Sequence, residues 1–216
     1  MQLYHYFRSS ASFRVRIALA LKGLPAELLP VHLLRQEQLA PGYTARAPSA
    51  LVPLMVEDDG FTLAQSMAII EYLDELHPTP SLLPGDARAR ARIREISQDI
   101  ACEIHPLNNL RVLRYLVKDL GVPDAKKDDW YRHWVESGLA VVEQRLASPA
   151  TGRFCHGDTP TLADCTLVPQ IFNARRVNAR VDQFAQVMRV FENCMALDAF
   201  AKTQPSAYPE AADAPR

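Results

Sequence analysis

The sequence predicts a small α/β module followed by an all-helical domain. Three observations predict it. The first eighty residues alternate strand-like with helix-like pieces, a proline-rich connector follows, and everything after it reads as helix.

Gln2 to Phe7 is short, aromatic and β-prone. A helical run from Ser12 to Lys22 follows and stops at Gly23, a residue suited to a helix C-cap. Leu28 to Leu33 reads as a second strand, and Pro30 within it points to a sheet edge. After a polar stretch from Arg35 to Ala50, Leu51 to Val56, the turn Asp58-Asp59-Gly60 and Phe61-Thr62-Leu63 form a hairpin signal. Ser66 is expected to cap a helix with Ile69, Ile70, Leu73 and Leu76 at helical spacing. The order is βαβ, then ββα.

The connector from His77-Pro78-Thr79-Pro80 to Pro84-Gly85-Asp86 sets the boundary, giving domains of residues 1–80 and 88–216. Ile93, Ile96, Ile100, Ile104, Leu107, Leu110 and Leu113 suggest one long apolar stripe between Arg88 and Leu120, kinked at Pro106. Further helices are expected over 128–146, 162–177 and 184–200, then a loose tail after Gln204. Thr161 and Asp164 have the form of a capping box, which is folding chemistry.

Composition narrows the function. At 216 residues, 48% hydrophobic and 23% charged, the chain has material for a sizeable core. A net charge of −1 argues against a general nucleic-acid or membrane-surface binder, both of which need a cationic face. Cys102, Cys155, Cys165 and Cys194 show no metal-ligand spacing, so no metal is expected. The start lacks the pattern of a signal peptide, and no apolar run reaches membrane-spanning length. The expectation is a cytoplasmic protein with no membrane or nucleic-acid partner.

The chemistry points to Phe7-Arg8-Ser9-Ser10-Ala11-Ser12, where hydroxyls and arginines crowd a helix start. A cap needs one hydroxyl, and capping alone accounts for either serine. A helix N-terminus with a directed hydroxyl is also an anion site, and a thiolate is one anion it can hold. No cysteine lies in the segment, so such a thiolate must arrive with a ligand. Val52-Pro53, after a long loop and before a strand, is where a cis proline exposes backbone to a peptide-like ligand; an ordinary trans proline fits equally. Gln65-Ser66 opens another helix and can receive a carboxylate, or simply cap it. Farther on, the polar His105, Asn108 and Asn109 share a helical sector with Arg111 at its margin.

Ser9-Ser10-x-Ser12-x-Arg14-Val15-Arg16-Ile17-Ala18-Leu19, Val52-Pro53, Gln65-Ser66-x-Ala68-Ile69-Ile70-Glu71-Tyr72-Leu73 and Gly157-Asp158-x-x-Thr161-Leu162-Ala163-Asp164 occur in that order. Together they resemble the zeta class of glutathione transferases over nearly the whole chain. The resemblance implies a thioredoxin-like N-terminal domain, an all-helical C-terminal domain and a homodimer. It also implies glutathione as the cofactor and a cis–trans isomerase of maleylacetoacetate or maleylpyruvate, as in aromatic amino-acid catabolism. A transferase for small electrophiles, and a glutathione-binding module without turnover, are the alternatives.

By the same resemblance Ser9 and Ser10 are catalytic and bind glutathione. Ser9 donates to its sulfur while Ser10 serves mainly the helix. Val52, cis Pro53, Gln65, Ser66, His105 and Asn109 complete the glutathione set, and Arg8, Arg111 and Arg176 meet the substrate's carboxylates. Arginine suits that task because its fork makes two parallel hydrogen bonds. Asn178-Ala179-Arg180 looks like a short insertion after Arg176. The chain departs from the family in having Ala11-Ser12-Phe13 where Cys and then Ser-Trp are usual, and Ala47-Pro48 in place of Asn-Pro.

Overall fold

A computed structural model describes residues 1–211. The chain forms two compact units: Met1–Leu82 together with the segment from Ala196 onward, and Leu83–Met195. Sequence composition alone groups that last segment with the helical half.

The first unit is a four-stranded sheet in the order β2-β1-β3-β4. Strand β1 (Gln2–His5) leads through α1 (Ser10–Lys22) to β2 (Glu27–Pro30), which pairs with β1 in parallel. The edge position of β2 tolerates Pro30, which cannot donate to a ladder. The short helix α2 (Pro41–Thr44) precedes the antiparallel hairpin of β3 (Leu54–Val56) and β4 (Thr62–Ala64). Gly60 turns that hairpin at φ 90°, where a side chain would be strained. Helix α3 (Ser66–Leu76) packs on α1. Helix α1 is buried nearly all round, and it ends at Gly23 in the left-handed conformation with φ 65°.

The tail is not loose as far as it is described. After α9 (Asp198–Ala201), two tight turns carry the chain to Ala211, and Tyr208 and Ala211 pack on a core cluster that includes Tyr6, Phe7, Val31 and Tyr43. The reason is long-range: one aromatic ring among prolines and alanines finds a partner on the sheet.

The second unit is helical. Helix α4 (Ala87–Gln98) passes into a π-helical turn, Asp99–Ile104, and the 3-10 turn Pro106–Asn108 before α5 (Leu110–Lys118) begins. The expected long helix is therefore broken, not merely kinked. Pro106 cannot continue the ladder, and Asn109 restarts a helix by accepting the Arg111 amide on its side chain at 3.1 Å. Ile93, Ile96, Ile100 and Ile104 are fully buried, while Leu107, Leu110 and Leu113 are only half-buried. Helix α6 (Asp124–Leu146), α7 (Leu162–Arg176) and α8 (Ala185–Met195) complete the unit.

The capping box at α7 is formed as the sequence predicts. Asp164 accepts from the Thr161 amide and hydroxyl at 2.7 Å each and from the Cys155 amide at 2.9 Å. Gly138 lets α6 meet the π-helical turn, because a Cβ there would overlap the side chain of Ile104. Replacing Gly138 by Ala gains about 1 kcal/mol of helix propensity. Overpacking a site this closed costs about 1–3 kcal/mol. Gly138→Ala is therefore expected to lower stability by about 1 kcal/mol, read from urea midpoints; an unchanged or higher midpoint would show that Ile104 yields freely.

Candidate functional site

The start of α1 carries the first group of residues. The Ser9 amide donates to the Tyr6 carbonyl at 2.9 Å, closing a tight turn that aims the chain into the helix. The Ser9 side-chain oxygen then accepts the Ser12 amide at 3.2 Å, so Ser9 is the N-cap and Ser10 the first helical residue. This reverses the capping role expected of Ser10. Capping uses only a lone pair of the Ser9 hydroxyl, and its proton remains a donor. Ser10 is buried, Ser9 is half-buried, and Arg8 lies over the Phe7 ring at 5.4 Å.

Three further features of this unit belong with that helix start. The Val52–Pro53 peptide is cis, as the sequence reading expects. Strand β3 begins only at Leu54, so both residues lie ahead of the ladder. At α3 the cap position is Gln65, not Ser66. Gln65 is exposed and holds the unusual backbone φ 71°, ψ 113°, a strained conformation for a side-chain-bearing residue. Ser66, the first helical residue, is buried, and its hydroxyl accepts from Arg14 Nη1 at 3.3 Å. Neither α1 nor α3 has an acidic residue in its first turn to offset the positive end of its dipole. Arg14, buried at 2% exposure, adds a cation between them.

In the second unit the expected sector of His105, Asn108, Asn109 and Arg111 on one helix does not exist. His105 ends the π-helical turn, Asn108 sits in the 3-10 turn, and Asn109 caps α5. Asn108 turns inward and donates to the Ile104 carbonyl at 3.4 Å; Arg111 is exposed. Arg176, also exposed, stands in the last turn of α7 and donates to Asn173 at 3.4 Å. The Tyr131 phenol, pushed up to about 12 by burial, feels the opposing charge of Arg176. The apparent insertion after Arg176 is pinned: Arg180 makes a forked ion pair with Glu136, with Nη2 at 2.6 Å and Nε at 3.0 Å. Among the described residues no group of three or more His, Cys, Asp and Glu is placed to hold a metal.

Two residues that the sequence reading left without a role, Arg14 and Arg16, are buried at 2% exposure. The signal was available: two arginines two positions apart on a helix otherwise apolar all round cannot both face water.

Residues 8–76 match the family model for the glutathione S-transferase N-terminal domain, and residues 135–211 match the C-terminal domain of the same family. A maleylpyruvate isomerase of Ralstonia sp. is 45% identical, over 98% of this chain and all of that protein. A solved holo maleylpyruvate isomerase, described as a bacterial zeta-class glutathione transferase, superposes with a TM-score of 0.94 at 44% identity, over 97% of this chain and 99% of its own. The chain belongs to the zeta class of glutathione transferases. A second structure, the maleylacetoacetate isomerase of Methylobacterium extorquens AM1 with bound malonate and glutathione, gives a TM-score of 0.94 at 36% identity over the whole of both chains.

At the start of α1 Ser9 is the N-cap, its side-chain oxygen accepting the Ser12 amide. Ser9→Ala is expected to cost about 1 kcal/mol of stability, the usual magnitude for a lost N-cap. Ser10→Ala is expected to cost less. Urea denaturation of both variants tests the order, and a larger loss for Ser10→Ala would return the capping role to that residue.

Proposed function

We propose that this chain is a glutathione-dependent cis–trans isomerase of maleylacetoacetate or maleylpyruvate. One observation carries the reading: the anion-ready start of α1 has no thiol of its own. All four cysteines lie in the second unit. Cys155 and Cys194 are buried there, and burial beside the Asp164 carboxylate pushes both thiols up. On this reading the thiolate held at Ser9 is brought by a ligand.

The donor set fits glutathione. A hydroxyl with an unused proton suits a thiolate, backbone ahead of β3 suits a cysteinyl unit, and an exposed helix start suits a γ-glutamyl carboxylate. When bound, glutathione supplies the sulfur nucleophile whose reversible addition turns the alkene into a rotatable single bond. The protein's task is to keep that sulfur anionic and to hold charge that develops on the substrate. Ser9 donates to the sulfur with Ser10 beside it. Val52, Pro53, Gln65, Ser66, His105 and Asn109 hold the remainder of the tripeptide. Arg8, Arg111 and Arg176 take the carboxylates of the substrate, and the bound malonate of the Methylobacterium relative supports a preference for dicarboxylates. The same reading places the protein in the cytoplasm as a homodimer. It rests on the family resemblance, on cysteines that form no disulfide among the described residues, and on helices of which none among the described residues is long and apolar enough to cross a membrane.

Isomerisation is expected to require glutathione without consuming it, so free thiol stays constant through many turnovers. Stoichiometric loss of thiol would make the chain a conjugating transferase. Arg176→Ala is expected to lower kcat/KM for the dicarboxylate by roughly tenfold to a hundredfold, the loss of a charged hydrogen bond of about 1.5–3 kcal/mol, with glutathione affinity little changed. An unaltered kcat/KM would leave Arg176 as a solvated surface residue.

A further inference from the structure

Arg16 is a buried cation whose hydrogen bonds go to backbone carbonyls and aromatic neighbours, with the Glu210 carboxylate near enough to favour its charged form. Its Nη2 donates to the Phe7 carbonyl at 3.0 Å and its Nη1 reaches the Tyr6 carbonyl at 3.4 Å. These are the carbonyls of the turn that closes on Ser9, and the Tyr6 oxygen also receives the Ser9 amide. The other side of the same guanidinium grips the C-terminal segment. Nε and Nη2 donate to the Thr203 carbonyl at 3.3 and 3.2 Å, and the Tyr208 ring stacks on the guanidinium at 4.5 Å. Phe13 covers it at 5.2 Å, and His5 meets both it, through Nδ1 at 3.3 Å, and the Tyr208 ring. Among the described residues no carboxylate lies within ion-pair distance of Arg16. A buried charge with no carboxylate in direct contact depends on its carbonyl acceptors and covering rings to stay in place.

We infer that Arg16 is a positioning residue, fixing the turn that presents the Ser9 hydroxyl, and that the segment around Thr203 and Tyr208 completes its binding site. The C-terminal segment thereby governs the geometry of the thiol-binding start of α1. Arg16 does not touch the ligand. It acts through two backbone carbonyls, which leaves the Ser9 side chain free to move if the guanidinium shifts. The catalytic half of this inference rests on the glutathione reading given above; the structural half does not.

Tyr208 gives the cleaner test, because altering Arg16 risks the fold. Hydrogen exchange at the Ser9 amide is expected to accelerate at least about tenfold in Tyr208→Ala, with exchange in β3 and β4 unchanged. Tyr208→Phe, which keeps the ring, is expected to restore protection. Titration of bound glutathione by thiolate absorbance is expected to show a raised thiol pKa in Tyr208→Ala, with kcat reduced and KM for glutathione nearly constant. On a Ser9→Ala background the Tyr208→Ala change is expected to add no further shift, as residues acting through one group are not additive. Unchanged exchange at Ser9 overturns the clamp. A thiol shift of equal size with and without Ser9 overturns its action through that hydroxyl. If Ser9→Ala alone leaves the thiol pKa in place while Tyr208→Ala still frees the turn, the glutathione reading of Ser9 and the catalytic consequence fail, and the clamp on the backbone stands.

Discussion

Helix α1 carries three cations into the interior of the first unit, and the unit is organised around satisfying them. Arg14 reaches Ser66 at the start of α3. Arg16 holds the Ser9 turn and the C-terminal segment. Lys22, its side chain fully buried, donates to Asp74 at 2.6 Å and to the His77 and Pro80 carbonyls at 2.7 and 2.8 Å. A buried cation that loses its partner costs about 3–5 kcal/mol, so each contact fixes its element firmly. The ordinary device for a helix start, an acidic residue in the first turn, is absent here. Anchoring from behind holds that end without an acidic side chain in its first turn.

The second unit handles its polar atoms in the opposite way. Asp164 is fully buried, and burial raises its carboxyl against the donors that favour its charged form. It draws the Cys155 amide and the Cys194 thiol, at 3.7 Å, into one cluster at the start of α7. The negative neighbour and the dry surroundings disfavour thiolate formation at both cysteines. The second unit thus suppresses the thiolate form of two buried thiols, Cys155 and Cys194. That suppression makes a ligand-borne thiolate the economical explanation of the α1 terminus.

Much of this was legible because it is local. The βαβ and ββα order, the Gly23 cap and the capping box each depend on a few neighbouring residues, whereas the cis form of Pro53 was implied only by the family resemblance. The errors are of two kinds. At helix starts, a hydroxyl one residue from the boundary is ambiguous: Ser9 and not Ser10 caps α1, and Gln65 and not Ser66 precedes α3, because backbone dihedrals decide the boundary and composition does not. The stripe through Pro106 failed since apolar periodicity continued across a break that Pro106 and Asn109 impose together. The C-terminal segment was the other failure. Arg16 and Thr203 are 187 residues apart, and nothing in a proline- and alanine-rich tail announces that one tyrosine covers a guanidinium.

The same arrangement bears on Ala11, which stands where the family usually has cysteine. Position 11 is half-buried in the first turn of α1, while the geometry of Ser9 is set elsewhere, by the Tyr6 carbonyl, the Ser12 amide and Arg16. The hydrogen bonds that shape that turn run through Tyr6, Ser9 and Ser12, so alanine at position 11 leaves the framework intact. A cysteine there would sit at a helix N-terminus, where thiols ionise more readily. Alanine removes a second anion that would compete for the same amides and the same hydroxyl. On the proposed reading, the departure from the family pattern simplifies the electrostatics: one thiolate, brought by the ligand, faces a helix end whose first turn holds no acidic residue.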